Sequence, residues 1–215
     1  MIETDYEIVN KIQQGEVESF KEFVEEYKNK AFSLTIKILK NREEAEDSLQ
    51  ESFMKLYRAI MQKQFECKSK LSTYFYSIVY NTAVDFYKKI KFKKFNIVSI
   101  DVNDANFREG DELTNRFYEK DVDSNILSKG RGFDPESEIS EKEIQDIINE
   151  YINAIPEHYS VILNMYYING LSHNEITDIL NIPVGTVKNR IFRAKEKLKD
   201  IILEKYSQDE ILEYV

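Results

Sequence analysis

One cysteine, Cys67, and two histidines, His158 and His173, are all that a chain of 215 residues offers in soft or imidazole ligands. A single thiol excludes internal disulfides and fits a reducing compartment, the cytoplasm. One Cys and two His cannot assemble a four-ligand structural zinc site, so neither a metal nor a cofactor is expected. No apolar run approaches the roughly 18 to 20 residues of a membrane span, and mean hydropathy is −0.52, so membrane insertion is not expected. The opening MIETDYEIVNKIQQGE carries acids and no apolar core of a secretory signal. The P-loop, GxSxG and HExxH patterns are also missing. With no catalytic constellation to point to, the chain is not expected to be an enzyme.

Helical periodicity dominates what is present, and no hairpin signal appears. The formal charge of −9 argues against a protein that coats DNA indiscriminately. The charge is unevenly spread, however. From Met61 to Phe95 eight lysines face only Glu66 and Asp85, whereas the first sixty residues and the stretch from Asn96 to Lys142 are acidic. Alternating blocks suit a molecule that touches nucleic acid in two places and protein elsewhere.

The most informative segment is LSHNEITDILNIPVGTVKNRIFRAKEKLK, Leu171 to Lys199. Ser172 followed by Glu175 is a capping box and predicts a helix start, with Ile176, Ile179 and Leu180 facing inward. Asn181-Ile182-Pro183 breaks that helix. A second helix from about Gly185 places Val187, Ile191, Ala194 and Leu198 in one narrow stripe. Lys188, Asn189, Phe192, Arg193 and Glu196 lie away from it, and six cations on this helix meet one acid. A helix-turn-helix with such a second helix suits the DNA major groove, where early residues meet base edges and other cations hold phosphates.

The expected fold is all-α: two small helical domains joined by an acidic linker, the C-terminal one containing the helix-turn-helix. Residues 1–95 form the first domain. Its helices carry Phe20, Phe23, Val24, Tyr27, Ala31, Leu34 and Ile38, then Ala45, Leu49, Phe53, Leu56 and Ile60 from about Arg42 to Met61, then a third helix from about Ser72 to Lys91. Residues 96–133 read as linker, with short helical pieces around Glu112 to Lys120. Residues 134–203 form the second domain, in which Asp134-Pro135 opens a helix to about Ala154, Pro156 opens the next and Gly170 ends it. Residues 204–215 are a tail.

Two faces of the first domain stand out. On the Arg42 to Met61 helix, Asp47, Gln50, Glu51, Met54 and Arg58 line up at steps of three or four, a polar back face compatible with protein docking. In TYFYSIVYNTAVDFYKKIKFKKF, aromatics alternate with lysines, the composition of a single-strand binding surface, although several of these rings must be core.

Three segments together resemble the bacterial RNA polymerase sigma factors of the sigma-70 family, extracytoplasmic-function (ECF) type. Ala45 to Tyr57 is similar to region 2.2, Ser72 to Lys89 to regions 2.3 and 2.4, and Ala154 to Leu198 to region 4, in the family's order. The resemblance implies a subunit that binds core RNA polymerase and directs promoter-specific initiation at −35 and −10 elements. It implies that Asp47, Gln50, Glu51 and Met54 dock on the polymerase β′ clamp helices. Lys188, Asn189, Phe192 and Arg193 would contact the −35 element, with Thr186 and Arg190 on phosphates. Tyr74, Asn81, Lys88 and Lys89 would meet the −10 element, and the loop from Phe65 to Ser72 would cradle its flipped base. Tyr74 stands where the family has tryptophan, and Lys88 and Lys89 where it has arginines, which removes the bidentate fork. An anti-sigma factor is a further implied partner. The rival is a stand-alone helix-turn-helix regulator on duplex operator DNA, which would ordinarily dimerise over two half-sites and would leave the aromatic-lysine region unexplained.

Overall fold

The computed structural model describes residues 2–98 and 155–205, all of them in helices, turns and short connections, with no strand. In chain order these are α1 (Ile2–Gln13), α2 (Val17–Leu39), α3 (Arg42–Met61), α4 (Leu71–Val98), α5 (Glu157–Leu163), a π-helical turn (Asn164–Ile168), α6 (His173–Leu180) and α7 (Val184–Lys205). The expected linker beyond Val98, its helical pieces, the expected helix from Asp134 to Ala154 and the tail beyond Lys205 lie outside the described residues.

Local chemistry sets most helix limits. Asn41 caps α3 by accepting the Glu44 N–H at 3.0 Å, and Glu43 and Glu44 favour the positive end of that helix. Lys40 ends α2 in the left-handed region, its N–H returning to the Ile36 carbonyl. Gly15, at φ 90, makes the turn between α1 and α2 that a side chain would strain. The third helix begins at Leu71 and runs to Val98, several residues past the expected end near Lys91.

α2, α3 and α4 pack around a ring cluster. Phe75 is fully buried, stacked on Phe53 at 4.6 Å and meeting Phe23 edge-on at 5.4 Å. α1 adds Val9 and Ile12 to this core and ties itself down with two polar bonds. Gln13 Nε2 donates to the Ile60 carbonyl at 3.0 Å, and Asp5 Oδ2 accepts the Leu71 N–H at 2.9 Å at the start of α4.

The buried apolar cluster continues from these helices into Ile155, Tyr159, Ile162, Leu163, Ile176 and Val187. Two halves expected as separate domains therefore meet directly, α5 and the π turn on α2, and α6 on α4. The π turn matters here. Its Asn169 N–H returns to the Asn164 carbonyl at 2.9 Å, a five-residue spacing. On an α-helix residues five apart point roughly 140° away from each other. The wider turn brings both amides to the side facing α2. Asn164 Nδ2 donates to Ser33 Oγ at 3.1 Å, and Asn169 Nδ2 donates to the Lys30 carbonyl at 2.7 Å. Gly170, at φ 69, closes the segment as expected.

Candidate nucleic-acid and protein interfaces

The helix-turn-helix forms as its sequence requires. Ser172 Oγ accepts the Glu175 N–H at 3.3 Å, and Glu175 Oε2 accepts the Ser172 N–H at 2.8 Å, completing the capping box. Asn181 leaves α6 in the left-handed conformation at φ 53. The Pro183 carbonyl then accepts the Thr186 and Val187 N–H groups, so α7 begins at Val184, one residue before the expected Gly185. Ile176, Ile179 and Leu180 are buried, as are Val187, Ile191 and Ala194, and Leu198 packs against the same cluster.

Opposite that stripe, Lys188, Asn189, Phe192 and Arg193 are exposed on one side of α7, with Thr186 and Arg190 half-buried beside them. Phe192 is 63 % exposed, an unusual place for a ring with no structural task. Further along, Lys195 lies over the Tyr167 ring at 5.3 Å and Lys197 over Tyr159 at 5.8 Å. His173 stacks on Tyr166 at 4.9 Å and is half-buried, its ring covering the π turn.

The aromatic-lysine helix is mostly core. Phe75, Tyr76 and Tyr80 are buried, and Tyr74, Phe86 and Tyr87 are half-buried against the same cluster. Phe75, Tyr76 and Tyr80 are thus among the rings expected to be core and leave the stacking role to others on this helix. α4 is packed by α2 and α3 on one side and by α6 on another, so its rings turn inward on more than one face. Tyr74 keeps an edge toward solvent, its ring 4.9 Å from Phe65. Asn81 and Lys89 are exposed and Lys88 is half-buried, with Lys89 Nζ 5.7 Å from the Phe86 ring. These four positions fall along one helix above the loop that joins α3 to α4. In that loop Lys63 and Cys67 hold positive φ, at 56° and 54°, sparsely populated for non-glycine residues and common at binding sites.

The third surface is a groove between α2 and α3. Val17, Phe20, Val24, Leu49, Phe53, Met54 and Tyr57 form its apolar lining, and Gln50, Glu46 and Arg58 its rim, around about 650 Å³. Of the expected docking residues, Gln50 and Met54 line this groove, while Asp47 is exposed and Glu51 half-buried on the same helix outside it. Periodicity assigned Phe20, Val24, Leu49 and Phe53 to the core. They are only partly covered, and the exposed Val17 at the head of α2 is the signal that this wall stays open. An apolar trough with a charged and amide rim is the form of a protein-docking site.

One carboxylate joins the helix-turn-helix to the first half. Glu175 Oε1 lies 2.8 Å from Lys70 Nζ and accepts from Thr73 Oγ1 at 2.9 Å. Burial alone would push the Glu175 carboxyl up, but the bonds from Lys70, Ser172 and Thr73 outweigh it and hold it down at about 2. Elsewhere along the contact, burial pushes the Glu157 carboxyl up while Lys40 and Lys91 pull it back. Among the described residues no group of three or more His, Cys, Asp or Glu could hold a metal, and no helix is long and apolar enough to cross a membrane.

Comparison with known proteins gives a consistent result. Residues 23–92 match the family model "Sigma-70 region 2" and residues 145–198 match "Sigma-70, region 4". The chain is 34 % identical over 191 residues to the ECF RNA polymerase sigma factor SigW of Bacillus subtilis, covering 89 % of this chain and 92 % of that one. It is 31 % identical over 199 residues to the ECF RNA polymerase sigma-E factor of Haemophilus influenzae, covering 93 % and 95 %. Among solved structures, CnrH in complex with the cytosolic domain of CnrY aligns with a TM-score of 0.58 at 14 % identity, over 94 % of this chain and 99 % of that one. The sigma factor RpoE of Bartonella quintana, in complex with the anti-sigma factor NepR, aligns with a TM-score of 0.53 at 19 % identity, over 85 % and 97 %.

Proposed function

The chain belongs to the sigma-70 family of RNA polymerase sigma factors, ECF type, and from that premise we propose how its three surfaces divide the work of promoter-specific initiation. The protein is a dissociable subunit without chemistry of its own, working in the cytoplasm with core RNA polymerase. The α2–α3 groove and the adjoining Asp47, Gln50, Glu51 and Met54 dock on the β′ clamp helices. Lys188, Asn189, Phe192 and Arg193 read the −35 element as duplex, while Thr186 and Arg190 hold its phosphates. Tyr74, Asn81, Lys88 and Lys89, with the α3–α4 loop, engage the melted −10 strand. An anti-sigma factor competing for the groove is a further partner.

The observation that carries this reading is the coexistence, on one chain, of an exposed basic recognition face and an open apolar docking trough. A regulator acting alone on operator DNA has no use for the second. The test is run-off transcription with sigma-free core polymerase on genomic fragments of the source bacterium. Defined transcripts that need both components support the reading. Specific duplex binding by the chain alone, without transcripts, would replace it.

Two substitutions refine the assignment. Arg193→Ala should cost about 1 to 3 kcal/mol of −35 discrimination, measured as the change in relative transcription from wild-type and altered −35 elements. An unaltered preference order would remove Arg193 from base reading. Asp47→Ala combined with Gln50→Ala should weaken competition for core polymerase on the order of tenfold while the far-ultraviolet spectrum is preserved. Wild-type competition by that variant would move the docking face elsewhere.

A further inference from the structure

α1 holds both ends of the α3–α4 loop. On this helix Asp5, Val9, Ile12 and Gln13 fall at i, i+4, i+7 and i+8, which is one face. Val9 and Ile12 are buried, and the polar groups that flank them reach across 47 and 66 residues of sequence. Gln13 Nε2 donates to the Ile60 carbonyl at the end of α3, which the Lys63 N–H also meets at 3.0 Å. Asp5 Oδ2 accepts the Leu71 N–H at the start of α4. Both are groups that a helix end leaves without an intrahelical partner. The side chain of Lys70, just before α4, can only donate, so a carboxylate from α1 takes the capping place. Between these fixed ends Lys63 and Cys67 hold φ of 56° and 54°, a conformation that non-glycine residues keep only when their surroundings impose it.

We infer that α1 is a splint for this loop, and that Asp5 and Gln13 are positioning residues for capture of the flipped −10 base. The loop is the one assigned above to the melted −10 strand, and the inference rests on that reading. A loop that cradles a base binds it only in the conformation that leaves room for it. Apparent affinity then scales with the fraction of molecules already in that conformation. Pinning Ile60 and Leu71 fixes where the chain leaves α3 and where it enters α4, which narrows the loop's ensemble before DNA arrives. Phe65 adds a third hold from within, 7 % exposed with its ring 4.9 Å from Tyr74. α1 acts without touching the strand. The Asp5 carboxylate repels phosphate and works through Leu71, and the Gln13 amide works through Ile60.

The test uses the full chain assembled with core polymerase and a fork-junction fragment of a promoter found by run-off transcription, with affinity read by fluorescence anisotropy. A second fragment lacks the −10 base whose removal weakens wild-type binding most. Asp5→Ala with Gln13→Ala should bind the intact fragment about tenfold less tightly, as a fall of the competent fraction to about a tenth requires. On the abasic fragment the double variant and wild type should bind alike, since no base remains to be cradled. Asp5→Asn keeps an acceptor for the Leu71 N–H and should bind nearly as wild type does. Gln13→Glu sets a carboxylate against the Ile60 carbonyl at little change in volume. It should repeat the loss, and it replaces the double variant if that one loses helix content. The inference fails if variants with native helix content bind both fragments as wild type does. It fails equally if they lose the same factor on both, since α1 is then only a structural support. A wild-type holoenzyme that binds intact and abasic fragments alike would overturn the −10 reading of the loop itself, and the inference with it.

Discussion

Glu175→Ala should lower the stability of the whole chain by about 3 kcal/mol, read from the urea midpoint at neutral pH. About 1 kcal/mol comes from the lost capping partner of Ser172. The remainder comes from charge-assisted bonds to Lys70 and Thr73, at about 1.5 to 3 kcal/mol for a charged group and toward the lower end because the Lys70 side chain is 43 % exposed. Glu175→Gln keeps an acceptor for the Ser172 N–H and should cost roughly half as much. The effect has a defined pH window. The carboxyl is depressed from 4.5 to about 2 by folding, so its contribution is complete above pH 4.5 and is lost as pH falls toward 2. The gap between wild type and Glu175→Ala should close across that interval. A gap of the same size at pH 7 and at pH 3 would show that the carboxylate charge is not its source.

Phe75→Ala should be the more damaging change, at about 3 to 5 kcal/mol, because a fully buried ring between Phe23 and Phe53 leaves a cavity that helices on both sides cannot fill. Its neighbour Tyr74, half-buried against Phe65, should cost only about 1 kcal/mol when replaced by alanine. Thermal unfolding of the two variants separates them directly. In transcription the order should reverse once temperature is low enough for both to fold, with Tyr74→Ala the weaker at promoter melting. Equal thermal costs would mean that α4 does not present these adjacent rings to opposite environments.

This pair also marks where sequence reasoning stopped. The helix-turn-helix was legible almost residue by residue, because Ser172 with Glu175, Gly170 and Pro183 act within a few residues of themselves, and because α7 is buried along a single stripe. α4 offers no such contrast. It is packed from more than one side, so apolar residues surround it and periodicity cannot say which rings reach solvent. The α2–α3 groove was half legible. Gln50 and Met54 were marked by their spacing on α3, but the apolar wall formed by Phe20 and Val24 looks the same in sequence whether a neighbouring helix covers it or not. The contact between the halves was not legible at all. Lys70, Thr73, Ser33 and Asn169 are ordinary polar residues until the chain brings them together.

The bonds of Ser33 with Asn164 and of Lys30 with Asn169 span 131 and 139 residues. Contacts of that separation form last, after each half has gained its own helices. On the ribosome, at about 5 to 20 residues per second, the first half waits on the order of ten seconds for the segment that will cover it. During that wait its future seam faces water, exposing apolar side chains that later join one continuous buried cluster beside the serine, threonine, lysine and tyrosine groups that bond across it. The first half therefore emerges with an apolar face that only its own downstream helices close.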